Sequence, residues 1–207
     1  MLIVLSGSTC TGKSAIGRLL ADQCTNVGTD TVFLNETSIH SAALSLMFRE
    51  PEKHAFIVQC EFVVRRTTQL LWALRHHTNV VIERYINDDR LFEEYWWSKK
   101  AFGNAQHDAY QRLWQECREM LPKPDCTVFV RCKVETATSR LLERECLAGE
   151  AREVPESFVR QYVLELAGRY DDYVARDIIK ADMIVNSDEE TLEVAAQKIL
   201  QTIPHRQ

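Results

Sequence analysis

The chain has 207 residues, 45% of them hydrophobic and 27% charged, with seven glycines and five prolines. That is enough chain for one large core, and it excludes a disordered or collagen-like protein. Twenty-five basic against thirty acidic residues give a net charge of −5, which argues against a broad electrostatic footprint for a nucleic acid polymer.

The opening Leu2 to Leu5 run reads as a strand. It lacks the basic start of a secretory signal and breaks into Ser6-Gly7, so an intracellular, cytoplasmic protein is expected. Seven cysteines without a C-x-x-C pair suit a reducing compartment and free thiols. No apolar run approaches the roughly 18–20 residues that span a bilayer, so no membrane partner is expected.

Directly after the first strand, Gly7-Ser8-Thr9-Cys10-Thr11-Gly12-Lys13-Ser14 satisfies G-x-x-x-x-G-K-[ST] and opens a helix carrying Ile16, Leu19 and Leu20. Such a loop wraps phosphates in backbone N–H groups at a helix N-terminus. Lys13 then reaches the terminal phosphates and Ser14 ligates Mg²⁺. A nucleoside triphosphate with Mg²⁺ is the expected ligand.

Further apolar, β-branched runs follow at Thr31 to Leu34, Val80 to Ile82, Thr127 to Val130 and Met183 to Val185, separated by helical stretches. The alternation predicts an α/β fold with a five-stranded parallel sheet flanked by helices, in a single domain over 1–207. Pro51 to His77 reads as one long helix with Pro at a permitted start. A loop rich in carboxylates, with Gly149 and Arg152, interrupts the helical patterns near 144–155 and reads as a mobile lid. The final helix carries Leu192, Ala195, Ala196, Ile199, Leu200 and Ile203 at core spacing, and Ser187 with Glu190 makes a capping box before it.

The D-x-x-G and N-K-x-D signatures of a GTPase switch are missing from the sequence. A compact kinase for a small acceptor needs an acceptor carboxylate and mobile arginines beside its P-loop. Glu36 follows the second strand and Glu83-Arg84 the third, at the carboxyl edge where open parallel sheets bind ligands. Arg140 and Arg144 lie one helical turn apart and lead into the lid.

Over nearly its whole length the sequence resembles the deoxyribonucleoside kinase family, and within it the deoxycytidine and deoxyguanosine kinase branch. The resemblance rests on the P-loop, on Leu46 to Lys53 with Gln59 following, on Val81-Ile82-Glu83-Arg84 with Asp89-Arg90, and on Arg140 and Arg144 with Val154-Pro155. It implies the P-loop kinase fold and transfer of the γ-phosphate of ATP to the 5′-hydroxyl of a deoxynucleoside by a homodimer, with the long helix in the interface.

By the same resemblance Glu36 is the general base, Arg84 positions the hydroxyl and phosphate, and Glu83 holds Mg²⁺ through water beside Ser14. Arg140 and Arg144 close over the phosphates, Gln59 reads the base edge, and Arg66 with Asp89 favours deoxycytidine or a purine over thymidine. Phe48 stands where the family has a Tyr for the sugar 3′-hydroxyl. Either Glu150 or Glu153 takes the lid carboxylate's role there. Val58 and Tyr85 also depart from the family, and Phe92 is one residue out of register for a stacking ring. The sequence is also compatible with two other readings: a P-loop kinase for a nucleoside monophosphate or other small alcohol, and a nucleotide-binding subunit without turnover.

Overall fold

The computed structural model describes residues 1–36, 43–147 and 156–202. In chain order these form β1 (Leu2–Ser6), α1 (Lys13–Asn26), β2 (Thr31–Leu34), α2 (Leu44–Arg49), α3 (Pro51–His76), β3 (Asn79–Glu83) and α4 (Ile86–Ser98). There follow α5 (Asn104–Met120), β4 (Cys126–Arg131), α6 (Val134–Leu147), α7 (Glu156–Ala175), β5 (Met183–Asn186) and α8 (Leu192–Thr202). The five strands make one sheet in the order β2-β3-β1-β4-β5, and every pair is parallel.

A parallel sheet covered on both faces has no polar side, so its central strands are apolar throughout. β1 and β3 are buried along their whole length. Side-chain alternation then divides each strand between two layers. Leu2, Val4, Val80 and Ile82 pack with Leu70 and Ala73 of α3, while Ile3, Leu5 and Val81 pack with Ile16 and Leu20 of α1 and with Ala196 and Ile199 of α8. A third cluster sits among α2, α3, α4 and α7, where Met47, Phe48, Val58, Phe62, Trp96, Tyr162 and Tyr170 are all buried.

Gly17 marks a close contact between α1 and the sheet: a Cβ there would lie 2.2 Å from Cε2 of Phe33 on β2. Alanine would gain about 1 kcal/mol of helix propensity. Displacing a ring from a packed site costs about 1–3 kcal/mol. Gly17→Ala is therefore expected to lower the midpoint of thermal unfolding despite the better helix former. A raised midpoint would show that Phe33 moves aside freely.

The capping box expected at Ser187 and Glu190 does not form. The Ser187 N–H bonds to Arg131 O, extending the β4–β5 ladder, so Ser187 is still committed to the sheet. Glu190 accepts from Asn186 N at 3.4 Å and from Lys198 Nζ at 2.7 Å. The cap of α8 is Thr191, whose Oγ1 accepts from Val194 N at 3.3 Å. The long helix ends at His76, one residue before the expected His77.

Candidate active site

The sheet order places β1 between β3 and β4, so the loop after β1 leaves from the point where strand order reverses, the usual ligand crevice of such sheets. The loop's shape is set by left-handed backbone at Gly7 (φ 142°), Cys10 (φ 58°) and Gly12 (φ 99°). At Gly7 a side chain is excluded twice, since a Cβ would also lie 2.1 Å from Val130 O. Lys13 is 2% exposed and donates to Ser8 O at 2.5 Å. Burial, and after it the Arg84 guanidinium, pushes its ammonium from 10.5 down to about 8.

Glu83, the last residue of β3, gathers the loop. Its Oε2 accepts from Ser14 Oγ at 2.8 Å and from the Glu36 N–H at 3.3 Å, and its Oε1 lies 3.8 Å from Lys13 Nζ. Ser14 Oγ and Glu83 Oε2 are two hard oxygen donors side by side, a donor set that suits Mg²⁺. Arg84 follows in the left-handed region (φ 67°), with its N–H on Leu5 O at 2.8 Å. Its Nη1 pairs closely with Glu36 Oε1, its Nη2 reaches Thr9 Oγ1 at 3.3 Å, and its guanidinium lies 4.4 Å above the Phe92 ring. Its Nε is buried and has no partner among the described residues.

On the opposite flank Arg140 Nη1 donates to Ser187 Oγ at 3.1 Å and to Cys10 O at 3.4 Å. Arg144 is exposed one turn further along α6. Glu150, Glu153 and Val154-Pro155 lie outside the described residues.

Gln59 is buried on α3, and its Nε2 reaches the weak acceptor Sδ of Met47 at 3.4 Å. Phe48 meets Trp96, Phe158 and Tyr162 edge-on at 5.5–6.3 Å. Arg66 and Asp89 are joined at 2.8 Å with side chains 1% and 4% exposed. Arg66 also donates to Glu83 O at 2.7 Å, so it braces the end of β3 as well. Burial pushes the Asp89 carboxyl above its ordinary value, opposed by the Arg66 charge.

The structure thus brings the phosphate loop, Glu36, Glu83, Arg84 and Arg140 together, with Arg66 and Asp89 joined at the end of β3 and Gln59 and Phe48 buried in the neighbouring cluster of α2, α3, α4 and α7. Sequence reasoning missed Ser187 as the partner of Arg140. It also missed Asp88, which is 1% exposed and accepts from Ser6 Oγ and Tyr170 OH, each at 2.8 Å. Asp88 sits at the third position of α4, where an acidic residue closes a capping box, and that pattern was the available signal.

A phosphate loop on the central strand of a five-stranded parallel sheet, faced by an acid–arginine pair, defines a P-loop nucleotide-binding protein of the small-kinase architecture. The sequence profile described as deoxynucleoside kinase matches residues 3–204, and the chain belongs to that family. It is 22% identical to deoxyguanosine kinase of Dictyostelium discoideum over 191 residues, which cover 90% of this chain and 63% of the relative. It is 28% identical to deoxyguanosine kinase of Lactobacillus acidophilus over 148 residues, 69% of this chain and 62% of the relative. The chain therefore spans under two thirds of the length of these curated relatives. The solved structure of deoxyadenosine kinase from M. mycoides, with products dCMP and a flexible dCDP bound, superposes with a TM-score of 0.77 at 19% identity, covering 97% of each chain. That likeness establishes the P-loop kinase fold. Among the described residues no helix is long and apolar enough to cross a membrane.

Proposed function

We propose that the protein is a deoxynucleoside kinase that transfers the γ-phosphoryl group of ATP to the 5′-hydroxyl of a deoxynucleoside, recovering free deoxynucleosides as monophosphates in the cytoplasm. The observation that carries this reading is the Glu36–Arg84 pair beside the phosphate loop, with Arg84 also on Thr9. A protein that only bound nucleotide would need no acceptor-side carboxylate there.

Glu36 takes the proton of the 5′-hydroxyl as that oxygen attacks, and Arg84 turns from Glu36 toward the incoming phosphoryl. Lys13 holds the terminal phosphates, and Arg140 and Arg144 cover their outer side. Ser14 and Glu83 would hold Mg²⁺, which neutralises phosphate charge when bound. One of the lid carboxylates Glu150 or Glu153 approaches the sugar, and Phe48 walls the pocket.

The base lies against Gln59, whose amide offers both a donor and an acceptor and exchanges a weak sulfur contact for a base edge. Asp89, held by Arg66, presents acceptors that suit an exocyclic or ring N–H and repel the O4 of thymine. The partner is a second copy of the chain. Ile57, Val64 and Leu71 repeat at seven-residue spacing along one side of α3 and are 58%, 43% and 38% exposed, an apolar stripe suited to pairing of two long helices.

The test is ATP- and Mg²⁺-dependent product formation across deoxycytidine, deoxyadenosine, deoxyguanosine, thymidine and thymidine monophosphate. Deoxycytidine or a purine is expected to lead. A thymidine preference would keep the kinase and overturn the Asp89 reading, while turnover of the monophosphate alone would overturn the nucleoside acceptor.

A further inference from the structure

Asp88 belongs to none of the roles described above, yet its buried carboxylate joins three segments. Oδ2 accepts from the Tyr85 N–H at 2.9 Å, immediately after Arg84. Oδ1 accepts from Ser6 Oγ, immediately before Gly7, and from the Tyr170 hydroxyl on α7, each at 2.8 Å. Two residues with uncommon backbone, Gly7 and Arg84, therefore stand next to two of the three groups that Asp88 holds. A non-glycine residue at positive φ persists only where its surroundings over-determine it, and the Asp88 bond to Tyr85 N supplies part of that constraint.

An ordinary capping-box carboxylate would spend its second oxygen on water. Here that oxygen is sealed in the core, and the Ser6 hydroxyl that it holds is also fully buried. The Tyr170 hydroxyl stays protonated because burial, and then the nearby Asp88 charge, raises its pKa far above the ordinary value, so it remains a donor. Tyr170 belongs to the helix that resumes after the segment between α6 and α7, which ties that helix to the phosphate loop through one carboxylate.

We propose that Asp88 is a positioning residue that indexes Arg84 to the phosphate loop, and that its bond to Tyr170 makes this index depend on the placement of α7. The inference rests on the kinase reading for its kinetic consequence. It acts through Arg84 and touches neither substrate nor nucleotide.

The experiment is a double-mutant cycle between Asp88→Asn and Arg84→Ala in the full chain, with Tyr170→Phe as a milder variant whose ring keeps its packing against Phe92 and Phe129. Asp88→Asn presents a donor to groups that need an acceptor, and is expected to lower kcat by about 10²-fold while changing KM for ATP less than threefold. In the Arg84→Ala background the same change should cost under threefold, since the residue it positions is gone. Tyr170→Phe should lower kcat several-fold with the same dependence on Arg84. Fully multiplicative losses would overturn the inference while leaving the kinase standing.

If the wild-type chain phosphorylates none of the acceptors, the kinase reading falls and amide hydrogen exchange decides on Asp88 alone. Tyr170→Phe should then speed exchange at Ser6 to Gly12 and at Arg84 to Asp88 together. Faster exchange confined to α7 would overturn the positioning role.

Discussion

Glu36→Gln is expected to lower kcat by about 10²-fold or more while ATP binds as before. Glutamine keeps the size of the side chain and can still accept a hydrogen bond from Arg84, but it cannot take a proton from the acceptor hydroxyl. The wild-type carboxylate is about one third exposed and accepts from Arg84 Nη1, so it lies within reach of a ligand while its charge is held in place. Steady-state kinetics with saturating ATP, together with titration of a fluorescent ATP analogue, separates the two effects. Turnover close to wild type would remove Glu36 from proton transfer and move attention to Glu83, its neighbour through the Glu36 N–H.

Lys13→Met should abolish measurable turnover, with a loss of about 10³-fold or more, because the terminal phosphates lose their positioned cation. The same change should make the ligand-free protein more stable near neutral pH. Lys13 is buried, and in the folded chain its pKa falls from 10.5 to about 8. The unfolded chain therefore binds more protons between those values, and stability rises with pH across that window. Below about 8 the full cost of keeping a buried ammonium applies, on the order of 3 kcal/mol from a shift of that size. Denaturant unfolding of both proteins at pH 7 and pH 10 checks the sign. The variant should lead at pH 7, and its lead should shrink toward pH 10. A variant less stable at pH 7 would show that the Glu83 and Ser8 contacts of Lys13 outweigh its desolvation.

The parts of this protein legible in its sequence are those whose geometry is local. The phosphate-binding motif is eight consecutive residues whose glycines, lysine and serine each have one geometric task, and the structure forms the first six as the loop between β1 and α1 and the last two as the start of α1. The five strands were legible because burial on both faces demands short apolar runs, and the observed strands extend the expected cores by at most a residue at either end. The placement of Glu36 and Arg84 at the carboxyl edge followed from the strand pattern, while the adjacency of β2 and β3 needed the sheet itself.

What stayed hidden depends on contacts far apart in sequence. Ser6 and Tyr170 each lie 82 positions from Asp88, and nothing in the identity of any one of them announces the other two. The false cap at Ser187 has a related cause. A serine three residues before a glutamate satisfies the local pattern, but the long-range bond to Arg131 O claims its backbone first. Arg66 shows the mixture: its pairing with Asp89 was readable from the family, while its bond to Glu83 O needed the packed strand end.

The Glu36–Arg84 pair also bears on what happens when no acceptor is bound. Oε1 of the Glu36 carboxylate is already held by the guanidinium, so a water molecule beside Glu36 would meet a base committed to Arg84. On the proposed kinase reading, the resting pair would therefore act as a safety catch against wasteful ATP hydrolysis, released only when an acceptor draws Arg84 and Glu36 apart.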